Sequence, residues 1–289
     1  MSNLFSTFIL FFIVITGIVW FLEKIQNLYY MYKFKKEKNK KYKKKKKYFL
    51  SSFFPILITV FLFRSFLFEP FKIPSSSMMP TLLIGDFIMV KKFAYNIRNP
   101  INNKLIYKIN DAKRGDVVVF QYPQNKNFNY IKRIIGIPGD IITYNEFTKT
   151  ISIQNKYTTI YNNLNLIKYN RILNLNKNKI HILDLKNIKI IEEIIQDKSH
   201  KIFINDEFID QKKYYYKQKN FDYGTWYIPK GYYFVMGDNR DNSSDSRYWG
   251  LVPEKNLIGK ATFIWFSLEK NINTWITGVR FKRLGHNIN

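Results

Sequence analysis

Cysteine is absent from this 289-residue chain, which excludes disulfides and thiolate chemistry while leaving the compartment open. Histidine occurs only as His181, His200 and His286, and alanine only at positions 94, 112 and 261. The shortage of alanine beside 26 phenylalanines and 21 tyrosines, with abundant Ile and Val, favours strands over helices. Acidic residues are also few. Asp and Glu number 21 against 47 Lys and Arg, a formal charge of +26, an excess that normally points to nucleic acid or an anionic membrane. Much of it is local, with twelve lysines between Lys24 and Lys47. Half of the other 26 lysines are scattered from Thr143 to Asn220, an enrichment that an AT-rich coding genome alone would produce. The length suits one large domain or two small ones once membrane segments are set aside.

Two runs are apolar enough to enter a bilayer. Leu4 to Leu22 has the length of a spanning helix. It is a poor match to a cleaved signal peptide, because no Lys or Arg precedes it and no small-x-small pattern follows. The second run begins at Tyr48, contains Pro55 and ends near Phe66, with Arg64 able to snorkel to the interface. We therefore expect a membrane anchor over residues 1–68, with spans at about 4–22 and 48–66. The lysine-rich loop between them predicts a cytoplasmic connection, so both termini and everything after Phe68 are expected outside. Contact of that loop with anionic headgroups accounts for its charge; no nucleic-acid partner is expected.

Beyond the anchor the chain reads as strands. Asp86 to Val90 and Val117 to Phe120 are short β-rich runs, the second opened by the turn residues Arg114-Gly115-Asp116. Tyr130 to Ile137 follows and closes at Pro138-Gly139-Asp140, where Pro then Gly suits a type II turn. Alternation places Tyr130 and Lys132 on one face and Ile131 and Arg133 on the other. Residues 143–223 are compositionally repetitive and are expected to form an inserted, strand-containing subdomain of little chemical content. Order returns at Thr225 to Pro229, Tyr232 to Met236, the stretch GDNRDNSSDSRYWG, and the strand-like Gly259 to Phe266.

The hydroxyl run Ser75-Ser76-Ser77, ahead of Met78-Met79-Pro80, is the first candidate for chemistry. Locally it reads either as a solvated turn after Pro74 or as a nucleophile. None of the three histidines lies near it in sequence, which leaves a Ser-His-Asp triad weakly supported. A lysine serves as base if burial against apolar walls disfavours its ammonium form. Lys132, between Ile131 and Ile134, is such a candidate; its other reading is an exposed strand lysine. Asp238, Asp241 and Asp245 invite a calcium loop, but Ser243 stands where the sharp-turn glycine belongs and Trp249 where the bidentate acid should be. No metal is expected there. Turns at Gly237-Asp238 and Asp241-Asn242, with an Asp245–Arg247 ion pair fixing the loop, are the structural reading.

FKIPSSSMMPTLLIGDFIMVKKFAY, KRGDVVVF, YIKRIIGIPGD and GDNRDNSSDSRYWG, after a two-span N-terminus, together resemble bacterial signal peptidase I in its proteobacterial form. The resemblance covers nearly the whole chain apart from residues 143–223. It implies a mainly β fold: an antiparallel-sheet catalytic domain over 69–142 and 224–289, a smaller inserted β-containing subdomain, and two preceding transmembrane helices. It implies a membrane-bound serine endopeptidase, without cofactor, removing signal peptides from exported preproteins at the outer face of the inner membrane. Ser77 matches the nucleophile and Lys132 the general base. Ser75 matches an oxyanion-hole hydroxyl and Ser243 the hydroxyl that orients the lysine. Phe71, Ile73, Pro74 and Ile131 match the walls of shallow pockets for small substrate side chains, and Tyr130 a residue flanking the base. Asp245 and Arg247 match a supporting ion pair, and Asp238 its loop. Trp265 and Trp275 resemble a membrane-facing patch, core packing being their other reading. Ser76 departs from the glycine common in the family, with crowding of substrate or a changed torsion as the expected consequence. Two alternatives from other classes are a catalytically inactive membrane scaffold and a basic anchor for nucleic acid or anionic lipid.

Overall fold

The computed structural model describes residues 2–36, 49–102, 104–155, 167–171, 188–196, 198–208, 212–269 and 278–288. The chain divides into two compact units, one of Met1–Glu69 with Ile97–Tyr107 and one of Pro70–Asn96 with Lys108–Asn289.

The first unit carries two helices long and apolar enough to cross a membrane, over Ser6–Lys33 and Leu50–Leu67. Helix α1 (Ser2–Lys36) runs well past the expected end at Leu22. No glycine or proline interrupts residues 23–36, and the polar residues there, Asn27 apart, are good helix formers. Helix α2 (Phe53–Leu62) follows a short 3-10 turn and continues into a π turn at Phe63–Leu67. Pro55 falls in the first turn of α2, where a missing N–H costs little. The Trp20 and Phe54 rings, 5.2 Å apart, join the two helices. Residues 37–48, the greater part of the lysine-rich loop, lie outside the described residues, as do His181 and Trp275.

The remainder is mainly antiparallel β. Strands β1 (Phe68–Lys72), β2 (Asp86–Lys91), β3 (Asn96–Arg98), β4 (Leu105–Lys108), β5 (Val117–Gln121) and β6 (Asn129–Gly136) come first. Strands β7 (Asp140–Asn145), β8 (Thr150–Asn155), β9 (Ile167–Arg171), β10 (Ile188–Ile195) and β11 (Lys198–Asn205) follow. The chain then forms β12 (Thr225–Tyr227), β13 (Tyr232–Met236), the single-turn helix α3 (Ser246–Trp249), β14 (Val252–Pro253), β15 (Leu257–Glu269) and β16 (Gly278–Val279). One sheet has the order β1-β2-β15-β5-β6-β13-β14, with β16 on β15. Two three-stranded sheets, β12-β7-β8 and β11-β10-β9, take the strands from β7 to β12.

Position within the sheet explains the sequence of each strand. β5 is central and buried on both faces, Val117 and Val119 in one apolar cluster and Val118 and Phe120 in another. Its run of apolar residues without alternation follows from that. β2 instead alternates between buried and half-buried positions. The turn after β6 is of the expected kind: Asp140 N donates to Ile137 O at 3.1 Å, and Gly139 supplies the φ of +94° that its position requires.

Candidate active site

β6 supplies the first half of the site. It lies between β5, where Lys132 faces Val118, and β13, where Met236 faces Arg133. Lys132 is 4% exposed, and its Nζ lies 2.5 Å from Ser77 Oγ, 55 residues away in sequence. Burial lowers its pKa to about 8, against the opposing pull of Asp245 and Asp238 and with help from Arg247. Of the two readings left open for this lysine, the buried one holds.

The segment from Ser75 to Asp86 supplies the second half. Ser77 is buried while Pro74 and Ser75 are exposed, and Ser75 Oγ lies 3.5 Å from Ser77 Oγ. The loop after β13 clasps this segment: Asn239 N donates to Ser77 O at 3.1 Å and Thr81 Oγ1 to Asp238 Oδ2 at 2.5 Å. On the other side Arg283 Nη2 donates to Thr81 O at 2.9 Å and to Asp86 at 2.6 Å. Gly237 sits where the two halves meet. A Cβ there would lie 2.3 Å from Ser243 Oγ and 2.4 Å from Ser77 O, so only glycine permits this approach.

The three acids of the loop each take a separate cation. Arg133 is bidentate to Asp238 at 2.9 and 2.8 Å. Lys149 Nζ donates to Asp241 at 2.6 Å. Arg247 donates to Asp245 at 2.9 and 3.0 Å, and Asp245 also caps α3 and accepts from Gly237 N. Burial opposes ionisation of Asp238 and Asp245, but Arg133 and Arg247 outweigh it and hold both carboxyls below their ordinary range. The acids brace the loop, as the Asp245–Arg247 pairing anticipated.

The other sequence-derived residues distribute unevenly. Phe71, Ile73 and Ile131 share one apolar cluster, beside the exposed Pro74. Tyr130 packs in the opposite cluster, stacked on Tyr122 at 4.5 Å, with its ring 6.0 Å from Lys132 Nζ. Ser243 is buried next to Gly237, but its Oγ has no hydrogen-bond partner among the described residues; the expected bond to Lys132 is not formed. Trp265 is exposed and packs on Phe87.

Residues 143–223, expected to carry little chemistry, supply structural supports for the Asp-rich loop. Glu193 on β10 is fully buried and grips Arg240 through both oxygens at 2.7 and 2.5 Å. His200 Nε2 on β11 lies 2.9 Å from Glu193 and 3.8 Å from Asp238. Phe203 N donates to Asp238 O at 2.9 Å, and Asn205 N to Asp241 at 2.6 Å. Burial disfavours the Glu193 carboxylate, yet Arg240 and His200 hold it far below the usual range. Repetitive composition concealed these residues, because a single Glu or Lys in an Asn/Lys/Ile-rich run has no local signal. His200 faces Glu193 directly across the β10–β11 pair, so its partner is a neighbouring strand's carboxylate and not a serine.

A family model described as signal peptidase, peptidase S26, matches residues 46–266. Signal peptidase I of Buchnera aphidicola subsp. Baizongia pistaciae is 48% identical over 99% of this chain and 99% of its own length. Signal peptidase I of Haemophilus influenzae is 38% identical over 81% of this chain and 74% of its own length. That of Aquifex aeolicus is 34% identical, covering 75% and 83%.

Proposed function

The chain belongs to the signal peptidase family, peptidase S26, and on that premise we propose that Ser77 and Lys132 are the dyad with which it removes signal peptides from preproteins. The observation that carries the assignment is the 2.5 Å approach of a buried, pKa-lowered lysine to a buried serine hydroxyl. Once neutral, Lys132 accepts the Ser77 hydroxyl proton as Oγ attacks the scissile carbonyl. The oxyanion that forms is held by the Ser77 backbone N–H and the Ser75 hydroxyl. Collapse expels the new amino terminus of the mature protein, which takes its proton from Lys132. The signal peptide then remains as an ester on Ser77. Lys132 next deprotonates water, and the resulting attack on the ester releases the peptide and restores the hydroxyl.

The remaining roles follow the same reading. Phe71, Ile73, Pro74 and Ile131 form apolar walls for small side chains of an extended substrate, and Tyr130 flanks the base. Ser243 reaches Lys132 in the ammonium state, when a donor gains an acceptor by turning its hydroxyl. Asp238, Asp245 and Arg247 hold the loop. The anchor places the catalytic part outside the inner membrane, the lysine-rich loop meets anionic headgroups on the cytoplasmic side, and the exposed Trp265 meets the bilayer.

The test is preprotein processing by the purified full-length chain in detergent. We expect Ser77→Ala and Lys132→Ala each to reduce cleavage by at least about 10³-fold, in keeping with residues that act as a unit. An acylating inhibitor should mark Ser77 alone by mass spectrometry. Near-normal cleavage by either variant would remove the dyad assignment.

A further inference from the structure

Ser76, the residue that departs from the family pattern, makes one contact that a glycine could not make. Its Oγ accepts from Asn242 Nδ2 at 3.1 Å. Its carbonyl accepts from Asn239 Nδ2 at 3.2 Å and from Met79 N at 3.0 Å. The two changes expected of a side chain here were crowding and an altered torsion. The second is absent, since Ser76 is not among the residues with positive φ.

Asn242 ends the 3-10 turn Arg240–Asn242, and that turn is fixed at both preceding residues. Arg240 is gripped by Glu193 and Asp241 by Lys149 and Asn205. A side chain tethered to Asn242 is therefore tethered to a rigid support. The tether acts one residue before Ser77, where a glycine would leave the backbone with its widest freedom.

We propose that the Ser76 hydroxyl and the Asn242 carboxamide form a latch that positions Ser77 for attack, making both positioning residues for signal-peptide cleavage. The proposal rests on the reading of Ser77 as nucleophile. The latch contacts neither the apolar walls near Pro74 nor Lys132, so it bears on turnover and leaves substrate affinity and the base unaltered. One neutral hydrogen bond is involved, which sets the expected loss at about two- to tenfold.

Steady-state cleavage of a signal-peptide substrate by the full chain tests this with Ser76→Ala, Ser76→Gly, Asn242→Ala and the double variant Ser76→Ala/Asn242→Ala. The expected result is kcat lowered about two- to tenfold in each single variant, with KM and the acid limb of the pH profile unchanged. The double variant should be no slower than the slower single one, because one interaction is removed once. Melting temperatures measured in parallel separate this from partial unfolding. Wild-type kcat in Ser76→Ala, a lower KM in Ser76→Gly, or fully additive losses would overturn the latch, the second by showing that Ser76 crowds substrate instead. Ser77→Ala, run alongside, keeps the two readings apart: near-normal cleavage there defeats the dyad, whereas a strongly impaired Ser77→Ala with unimpaired Ser76 variants defeats the latch alone.

Discussion

Lys132, the proposed base, is destabilising while charged. Its pKa is lowered from 10.5 to about 8, chiefly by burial, so the folded chain binds this proton less readily than the unfolded chain does. Between these values the unfolded state holds more protons, and stability rises with pH through the window. Replacing the lysine by methionine removes a buried ammonium, so Lys132→Met should abolish processing yet stabilise the protein by about 3 kcal/mol at pH 7. The gain should fall below about 1 kcal/mol by pH 10, and denaturant titrations at the two pH values measure it. The same pKa governs activity. Only the neutral amine accepts the Ser77 proton, so kcat/KM should climb tenfold per unit below pH 8 and level off above it. Among single residues, the pairing of Ser77 with Lys132, 2.5 Å apart, was legible from motif order. The hydroxyl partner of Ser76 was not, because 166 residues separate it from Asn242.

The Gly237 to Arg247 loop joins β13 to α3 and carries most of the site's charge. Its local features could be read in advance: the turn residues, and the Asp245–Arg247 pair only two positions apart. What holds it from outside could not. Arg133, Lys149, Glu193 and Asn205 come from four separate strands or turns, and ion pairs between distant segments leave no periodicity in a sequence. Glu193→Gln should expose the importance of that bracing, since it leaves the guanidinium of Arg240 buried without its counter-charge. We expect a loss of about 3–5 kcal/mol in unfolding free energy, measured by urea denaturation in detergent, with processing lost in step with folding. Gly237→Ala acts differently, forcing apart Ser77 and Ser243. A fall in kcat of at least about 100-fold with a smaller change in melting temperature is expected, and equal activity would show that the loop yields without consequence. Strand assignments were readable wherever alternation or turn chemistry was present. Helix α1 was underestimated because a helix need not stop where its apolar face does.

For the whole chain, charge and order of synthesis matter more than any single contact. If the lysine-rich loop fixes orientation, replacing the lysines from Lys35 to Lys47 with glutamine and adding lysines before Leu4 should invert the anchor. Protease accessibility of the catalytic part in spheroplasts would report the inversion, and preprotein processing should fall with it. The site also draws on widely separated stretches of chain: residues 75–86, β6, the loop after β13, and Arg283 with its hold on Thr81 and Asp86. Chains emerge from the ribosome N-terminus first, so the anchor can enter a membrane long before the segment bearing Ser77 receives its last restraint. If that restraint is required for turnover, a protease that cuts exported proteins stays latent during its own synthesis. Competence would then wait for the segment around Arg283, and a chain ended at Val279 should insert normally but remain a poor enzyme.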